Sequence, residues 1–361
     1  MAKSTSLYSS WLTGLLVFLA AIAPLTSAAT PTYTTSASRS SGTATPIGGA
    51  NSKRIVQYCG TLYAPSSLNK VHIADTVNST RPVYVTDVIY GTWSMQQNKT
   101  MTISFNDTNV SPNLPRHAWA WSEMKTVQRA GVSVSMGLRG GFTYFNDNST
   151  FEGYYGALRS TLQKYKFDGI DLDIEDYGEG RPNPITLEAV IRLIQRLRKD
   201  FGRDFVITLA PVSTAMAGSG GNMSKFSYTE LEKRAGKDIS WYNVQFYYLP
   251  DELESTDTVD AAMQHGWQPQ RIVIGMVTEP DFGQDVWVEL PKVAKTLRTV
   301  FAKYPALKGV DGFDYYDQKP GGYPAPWEWP AWAAQQISAV GGNGTGSASP
   351  SSGARKLVFK A

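Results

Sequence analysis

Three acidic residues alternate with aliphatic ones in the segment 167–175, which reads FDGIDLDIE. Successive side chains of a β-strand point to opposite faces. As a strand, this segment places Asp171, Asp173 and Glu175 on one face and the aliphatic residues on the other. Carboxyl groups crowded on one face repel each other as anions, so at least one keeps its proton near neutral pH. A protonated carboxyl group can act as a general acid, and the segment therefore predicts acid catalysis.

The surroundings of this strand decide where its acids point. In a closed parallel barrel, helices cover the outer face of every strand, which must therefore be apolar. The three acids then point into the barrel, with Glu175 at the C-terminal rim, where barrel enzymes build their active sites. The alternatives are a solvated edge strand and a cation site. A rigid strand spaces its acids poorly for wrapping an ion, so we expect no metal.

Strands and helices alternate along the central part of the chain, as judged from apolar periodicity and turn residues. The eight candidate strands are 54–59, 85–90, 132–137, 169–175, 205–210, 239–247, 271–277 and 309–315. The clearest helical patterns are 151–165, 185–201, 228–235, 258–265 and 290–304. This alternation predicts an α/β fold, a (β/α)8 TIM barrel. A doubly wound open sheet is the alternative, but the glycine-rich phosphate turn expected after its first strand is absent from the sequence.

The two ends of the chain differ in composition from its centre. Residues 1–28 predict a signal peptide, because Lys3 precedes a short apolar run and then small residues. Residues 29–53 predict a Ser/Thr-rich flexible leader, 54–340 the catalytic barrel and 341–361 a Gly/Ser-rich flexible tail. The apolar run is too short to span a bilayer easily. We therefore expect a secreted, extracellular protein, with attachment to a cell wall left open.

Seven Asn-x-Ser/Thr sequons agree with export, because such sites are glycosylated on secreted proteins. They are Asn78, Asn98, Asn106, Asn109, Asn148, Asn222 and Asn343.

Composition excludes several other classes of protein. A net charge of +3 without a basic run argues against a nucleic-acid partner. With three histidines and one cysteine, Cys59, the chain is poorly supplied for a zinc site and cannot form an intrachain disulfide. We expect a monomer without a cofactor. The many aromatic residues can stack on sugar faces, although core packing is their ordinary use.

The acid segment resembles the Asp-Gly-x-Asp-x-Asp-x-Glu signature of glycoside hydrolase family 18, which contains chitinases and endo-β-N-acetylglucosaminidases. Segments 205–211 and 239–247 resemble the fifth and sixth strands of that family. Segment 226–229, FSYT, and the segment 321–329 resemble its fungal endo-β-N-acetylglucosaminidase branch. The likeness extends over nearly all of the central part of the chain.

The resemblance implies cleavage of β-1,4 N-acetylglucosamine linkages with retention, in which the substrate's own acetamide replaces a carboxylate nucleophile. Glu175 would be the acid and base. Asp173 would orient the acetamide N–H, and Asp171 would take up a proton beneath it. Asp168 lies out of phase with the other three acids and would brace the strand.

The same resemblance assigns substrate contacts to the sixth strand. Tyr247 would hydrogen-bond the acetamide carbonyl, with Gln245 and Asn243 assisting from the same face. For Asn243 the alternative is a polar layer that fills the barrel. Trp241 is a further candidate for the lining of the cleft.

Two positions depart from the family pattern. Phe313 stands where the family usually places a tryptophan under the bound sugar, and it lacks the indole N–H. In the third strand, the usual Ser-x-Gly-Gly is replaced by a segment that contains Arg139. Both changes lie where substrate choice is decided.

The substrate class remains open between two carbohydrates. An endo-β-N-acetylglucosaminidase would cut the chitobiose core of N-glycans, and a chitinase would cut chitin or its oligomers. No cysteine-rich chitin-binding module is evident in a chain with one cysteine, which favours N-glycans. Two alternatives of other classes are a sugar-binding barrel without turnover and a structural cell-wall protein. The latter leaves the acid strand unexplained.

Overall fold

The computed structural model describes residues 53–64, 67–78, 80–105, 108–175, 184–219, 221–280 and 286–338. The predicted signal peptide, the tail and the leader except Lys53 lie outside the described residues, as do the sequons at Asn106 and Asn343. Four of the other acceptor asparagines, Asn78, Asn98, Asn109 and Asn148, are exposed. Asn222 is half-buried and donates from its side-chain amide to the carbonyl of Phe226.

Eight parallel strands close into a barrel. They are β1 (Arg54–Cys59), β2 (Asp87–Met95), β5 (Ser133–Gly140), β6 (Gly169–Leu172), β7 (Val206–Leu209), β8 (Trp241–Gln245), β9 (Ile272–Val277) and β10 (Gly309–Phe313). Each strand pairs with the next, and β1 pairs with both β2 and β10, which closes the ring. The predicted (β/α)8 barrel is confirmed.

A hairpin that the sequence analysis did not predict extends one edge of the sheet. β3 (Met101–Phe105) pairs antiparallel with the end of β2, and β4 (Thr108–Val110) pairs antiparallel with β3. The second barrel strand runs five residues beyond its predicted end at Tyr90. Gly91, at a φ of 75°, lies where the register between β2 and β5 shifts. A positive φ favours glycine, so this residue lets the strand bulge and continue.

Helices cover the outside of the barrel. They are α1 (Ala118–Arg129), α2 (Phe151–Tyr165), α3 (Leu187–Phe201), α4 (Ser213–Ala217), α5 (Tyr228–Ala235), α6 (Asp257–Gln264), α7 (Leu290–Lys303) and α8 (Glu328–Ser338). The bounds of α2 and α5 are as predicted, and those of α3, α6 and α7 agree within two residues. α1, α4 and α8 were not among the clear helical patterns.

The core has two layers. Aliphatic and aromatic residues on the outer faces of the strands pack against the helices in one large cluster. Cys59 belongs to it, and burial raises the pKa of its thiol well above the ordinary value. Inside the barrel, a small apolar cluster holds Val56, Ile89, Trp241 and Val273. The inner space toward the C-terminal rim is lined by polar side chains, which is where a site can form.

Candidate active site

The three acids of the predicted row lie on the inner face of the barrel. Ile170, Leu172 and Ile174 are buried in the outer cluster, so the alternate residues must face inward. β6 ends at Leu172, but the backbone N–H of Asp173 still donates to the carbonyl of Leu138 at 2.9 Å. The row therefore continues in extended form past the last strand residue.

Asp171 is the deepest acid and is fully buried. Its Oδ1 accepts hydrogen bonds from Thr208 Oγ1 at 2.5 Å and Asn243 Nδ2 at 3.1 Å, and its Oδ2 accepts one from Tyr58 Oη at 3.1 Å. Burial raises the pKa of Asp171 to about 6, although the three hydrogen bonds oppose the rise. This carboxyl group can therefore gain or lose a proton in mildly acidic solution.

Asp173 lies between the other two acids. Burial raises its pKa well above the ordinary value, the charges of Glu175 and Asp171 raise it further, and Arg139 opposes them. Two donors approach it at longer range, with Arg139 Nε at 3.4 Å from Oδ2 and Gln245 Nε2 at 3.4 Å from Oδ1. The crowding of the row therefore favours the protonated form of Asp173.

Glu175 is the last acid of the row, and 5% of its side chain is exposed. Its Oε1 accepts from Gln245 Nε2 at 2.9 Å, and its Oε2 accepts from Arg139 Nη2 at 2.9 Å. Gln245 is held in turn by donating to the carbonyl of Ala210 at 2.9 Å. Two strands on opposite sides of β6 thus orient the carboxyl group of Glu175.

Three aromatic residues lie near the acids. The rings of Tyr247 and Phe313 are parallel within 11°, with centroids 6.4 Å apart, and Tyr58 meets Phe313 edge-on at 6.1 Å. Burial, followed by the charges of Asp311 and Asp173, raises the pKa of Tyr247 well above its usual range. Its hydroxyl group therefore stays protonated and is able to donate.

Asp311 is a buried acid that the sequence analysis missed. It lies on β10 two residues before Phe313, so the two side chains share the inner face. Burial and the charge of Asp171 raise its pKa well above the ordinary value, which favours its neutral form. A Cβ atom at Gly275 would come within 2.9 Å of both Asp311 carboxyl oxygens, so glycine makes room for them. The signal was available, because the eighth strand carries an acid in phase with Phe313.

Tyr58 and Thr208 are further site residues that the sequence did not predict. Both contact Asp171, and each lies on a strand whose own sequence carries no acidic motif. The alternation of side chains along a strand places Thr208 on the same face of β7 as Val206, but it does not show which face points into the barrel.

Asn243 and Trp241 are placed away from the rim. Asn243 is buried and bonded to Asp171, and its Oδ1 accepts from Trp241 Nε1 at 2.8 Å. Trp241 itself is 4% exposed and packs in the inner apolar cluster. The guanidinium of Arg54 lies 5.0 Å from its ring centroid, near the N-terminal ends of the strands. The structure does not support Trp241 as a lining of the cleft, because it is the first residue of β8 and the rim is at the other end.

Asp168 lies outside the row, before the first residue of β6. Its Oδ2 accepts from the backbone N–H of Val134 at 3.0 Å and from Gln128 Nε2 at 2.9 Å. These bonds connect the start of β6 to β5 and α1. Within the described part of the chain, no group of three or more His, Cys, Asp or Glu residues is arranged to hold a metal ion.

The profile described as glycosyl hydrolases family 18 matches residues 54–314, which include all eight barrel strands. The chain belongs to glycosyl hydrolase family 18. The resemblance that the acid segment carries is therefore confirmed over the whole barrel. In the described segments of this family 18 protein, no helix has the length and apolar character needed to cross a membrane.

Relatives of this family 18 protein include both kinds of enzyme that the sequence analysis left open. An endo-β-N-acetylglucosaminidase of Flavobacterium sp. (strain SK1022) is 29% identical over 142 residues, 36% of this chain and 44% of that relative. The chain thus spans less than half of that relative's length.

Two solved structures cover more of the barrel. A fungal endo-β-N-acetylglucosaminidase of family 18 superposes with a TM-score of 0.70 at 30% identity, covering 79% of this chain and 98% of that one. A chitinase of Aspergillus fumigatus superposes with a TM-score of 0.67 at 32% identity, covering 79% of this chain and all of that one. These two likenesses are nearly equal, so they do not separate the two substrates.

Proposed function

We propose that this protein hydrolyses β-1,4 N-acetylglucosamine linkages with retention, by substrate-assisted catalysis. The observation that carries the proposal is the inward-facing row of acids, in which burial favours the protonated form of Asp173 and Glu175 lies next to it at the rim. A row of this kind keeps a proton available beside the group that must donate it. A barrel that only binds sugar has no need of crowded, buried carboxyl groups, which are costly to hold.

In the first step, Glu175 gives a proton to the glycosidic oxygen, and the bond from that oxygen to the anomeric carbon breaks. The carbonyl oxygen of the substrate's 2-acetamido group forms a new bond to the same carbon, giving a cyclic oxazolinium ion. Asp173, as the anion, accepts a hydrogen bond from the acetamide N–H and balances the positive charge that develops. In the second step, Glu175 takes a proton from a water molecule whose oxygen bonds to the anomeric carbon. The bond from that carbon to the acetamide oxygen breaks, which opens the ring and restores the acetamide.

The neighbouring side chains have distinct parts in this proposal. The Tyr247 hydroxyl donates to the acetamide oxygen, and Gln245 holds Glu175 in place. Phe313, with Tyr247 parallel to it, offers an apolar face for the sugar ring. Asn243 acts through its bond to Asp171 and does not touch the sugar.

For the substrate, we propose the chitobiose core of N-glycans. The segments 226–229 and 321–329 resemble the fungal endo-β-N-acetylglucosaminidase branch. The second candidate is chitin or its oligomers, which the likeness to the Aspergillus fumigatus chitinase favours.

The proposal for the location of the protein rests on its N-terminal segment. Residues 1–28 read as a signal peptide, and exposed sequons agree with passage through a glycosylating pathway. We therefore propose a secreted enzyme. Its N-terminal sequence and its mobility before and after glycosidase treatment, both measured on the exported product, test this.

The test of the activity uses two substrates and one matched variant. Wild-type protein and Glu175→Gln are incubated with a high-mannose glycoprotein and, separately, with chitin oligomers, and the products are identified by mass spectrometry. Glycans released by wild type only, with one N-acetylglucosamine left on the protein, support the proposal. Cleavage of chitin oligomers alone assigns the enzyme as a chitinase. Turnover of neither substrate by wild type contradicts the hydrolase proposal and favours a sugar-binding barrel.

A further inference from the structure

Arg139 lies directly against the two acids at the rim. It is the seventh residue of β5 (Ser133–Gly140), the strand that pairs with the acid strand β6. Its Nη2 is 2.9 Å from Oε2 of Glu175, and its Nε is 3.4 Å from Oδ2 of Asp173. A single guanidinium group therefore spans both acids.

The charge of Arg139 is permanent under any working condition. Burial alone would lower the pKa of its guanidinium, but the carboxyl groups of Asp173 and Glu175 more than offset this and raise it. Hydrogen bonds from a guanidinium to a carboxylate are about twice as strong as bonds between neutral groups. The contact between Arg139 and Glu175 is therefore a strong one.

A cation in contact with a carboxyl group favours its ionised form, so the contact with Arg139 opposes acid catalysis by Glu175. Both carboxyl oxygens already accept a hydrogen bond, one from Arg139 and one from Gln245. Gln245 is 9% exposed and is tied to the backbone carbonyl of Ala210. The Arg139 side chain is 37% exposed. The guanidinium is therefore the partner that an incoming sugar can reach and displace.

We propose that Arg139 is a positioning residue that pairs with Glu175 in the substrate-free protein and releases it when a sugar enters the cleft. This rests on the function proposed above. On release, the proton held at Asp173 passes to Glu175. Asp173 becomes a carboxylate as the same proton leaves it, and Arg139 Nε is already 3.4 Å away to pair with it. The proton thus moves from Asp173 to Glu175 while Arg139 changes its partner from Glu175 to Asp173. No proton needs to enter from solvent.

Other titratable groups surround the pair. They are Asp171 on β6, Tyr58 on β1, Tyr228 on α5, Tyr247 after β8, Asp311 on β10 and Asp314 after it. All of them are acids, which are neutral or negatively charged, so none adds a second positive charge beside Glu175. The removal of the Arg139 charge should therefore be felt directly by the acid pair.

The experiment compares kcat/KM against pH for wild type, Arg139→Met and Arg139→Lys. Methionine keeps much of the side-chain length without the charge, and lysine keeps the charge. The basic limb of the profile reports the loss of the proton from the essential acid of the free enzyme. Because a cation within about 4–6 Å favours an ionised carboxyl group, its removal should move the basic limb of Arg139→Met up by about one pH unit. Arg139→Lys should keep the wild-type limb.

A control and a second measurement make the result decisive. Arg159→Met removes one positive charge from α2, where Arg159 pairs with Asp200, and should leave the profile unchanged. Carbon-13 NMR of glutamate carboxyl groups follows the same titration without turnover, with Glu175→Gln assigning the signal. If Arg139→Met does not fold by circular dichroism, Arg139→Gln takes its place.

An unchanged Glu175 midpoint and basic limb in the uncharged variant overturn the inference about Arg139, and an equal loss of rate at every pH does so too. If the NMR titration midpoint of Glu175 differs between wild type and Arg139→Met but wild type turns over neither substrate, the proposed function is contradicted and the pairing of Arg139 with Glu175 stands.

Discussion

Gln245 donates from Nε2 to Oε1 of Glu175 at 2.9 Å, and the same nitrogen donates to the carbonyl of Ala210 at 2.9 Å. Ala210 directly follows β7, so the backbone there orients the side-chain amide of Gln245, and that amide orients the carboxyl group of Glu175. β8 therefore contributes to the site by orienting Glu175 from the side opposite Arg139.

The replacement Gln245→Met should lower kcat by about 10- to 100-fold with little change in KM, because an orienting donor acts mainly on the reacting geometry. Steady-state kinetics on the substrate that wild type cleaves will measure this. Gln335→Met, on the exposed face of α8, is the matched control and should behave as wild type. A rise in KM with unchanged kcat would instead make Gln245 a group that binds substrate and transition state equally.

Tyr247→Phe tests the hydroxyl group while leaving the ring parallel to Phe313. We expect kcat to fall by about 100-fold, because the hydroxyl group orients the acetamide oxygen that attacks the anomeric carbon. KM should change by only a few fold, because the stacking face remains. Tyr304→Phe at the end of α7, where the hydroxyl bonds Asp260, serves as control. Full activity of Tyr247→Phe would show that the acetamide carbonyl is held by another group.

Asp171 should make the stability of the protein depend on pH. Its pKa is about 6 in the folded state and 3.8 as an ordinary aspartate. Because the folded pKa is raised, its contribution is fully present below pH 3.8 and is lost as pH rises through about 6. At 1.36 kcal/mol per unit, the change approaches about 3 kcal/mol.

The variant Asp171→Asn lacks this titration. Relative to wild type, its free energy of unfolding should therefore improve between pH 4 and pH 7, as measured by urea denaturation at both values. A difference between the two proteins that is constant across that range would show that Asp171 does not titrate there.

Trp241 should matter for stability and not for substrate binding. Trp241→Ala empties part of the inner apolar cluster, so we expect the free energy of unfolding to fall by about 3–5 kcal/mol. The milder Trp241→Phe should lower the Tm but keep the wild-type KM on the substrate that wild type cleaves. A raised KM with an unchanged Tm would show that Trp241 contacts the substrate in the cleft.

The sequence predicts the acid face well, and the reason is physical. Period two groups Asp171, Asp173 and Glu175, and the apolar residues between them require a covered outer face. The same rule places Asn243, Gln245 and Tyr247 on one face, but it does not show how far each side chain lies from the rim of the barrel. Trp241 shares that face and still lies at the wrong end, because distance along the strand separates the floor of the barrel from its rim.

Contacts between strands lie beyond what one strand's pattern can show. The bond from Thr208 to Asp171 depends on the register of β6 against β7, and the pairing of Arg139 with Glu175 depends on that of β5 against β6. The hairpin β3–β4 was missed for a related reason, since its strands are short and its partner β2 runs past its expected end.

The most direct test of substrate-assisted catalysis changes the substrate's nucleophile and leaves the protein intact. Two aryl glycosides of N,N′-diacetylchitobiose are compared with wild type, one of them carrying a trifluoroacetamido group on the sugar whose bond is cut. Fluorine withdraws electrons from the carbonyl oxygen that attacks, so kcat/KM should fall by roughly 100-fold or more if the acetamide is the nucleophile. A kcat/KM that stays within about 3-fold would point to a carboxylate nucleophile and contradict this account.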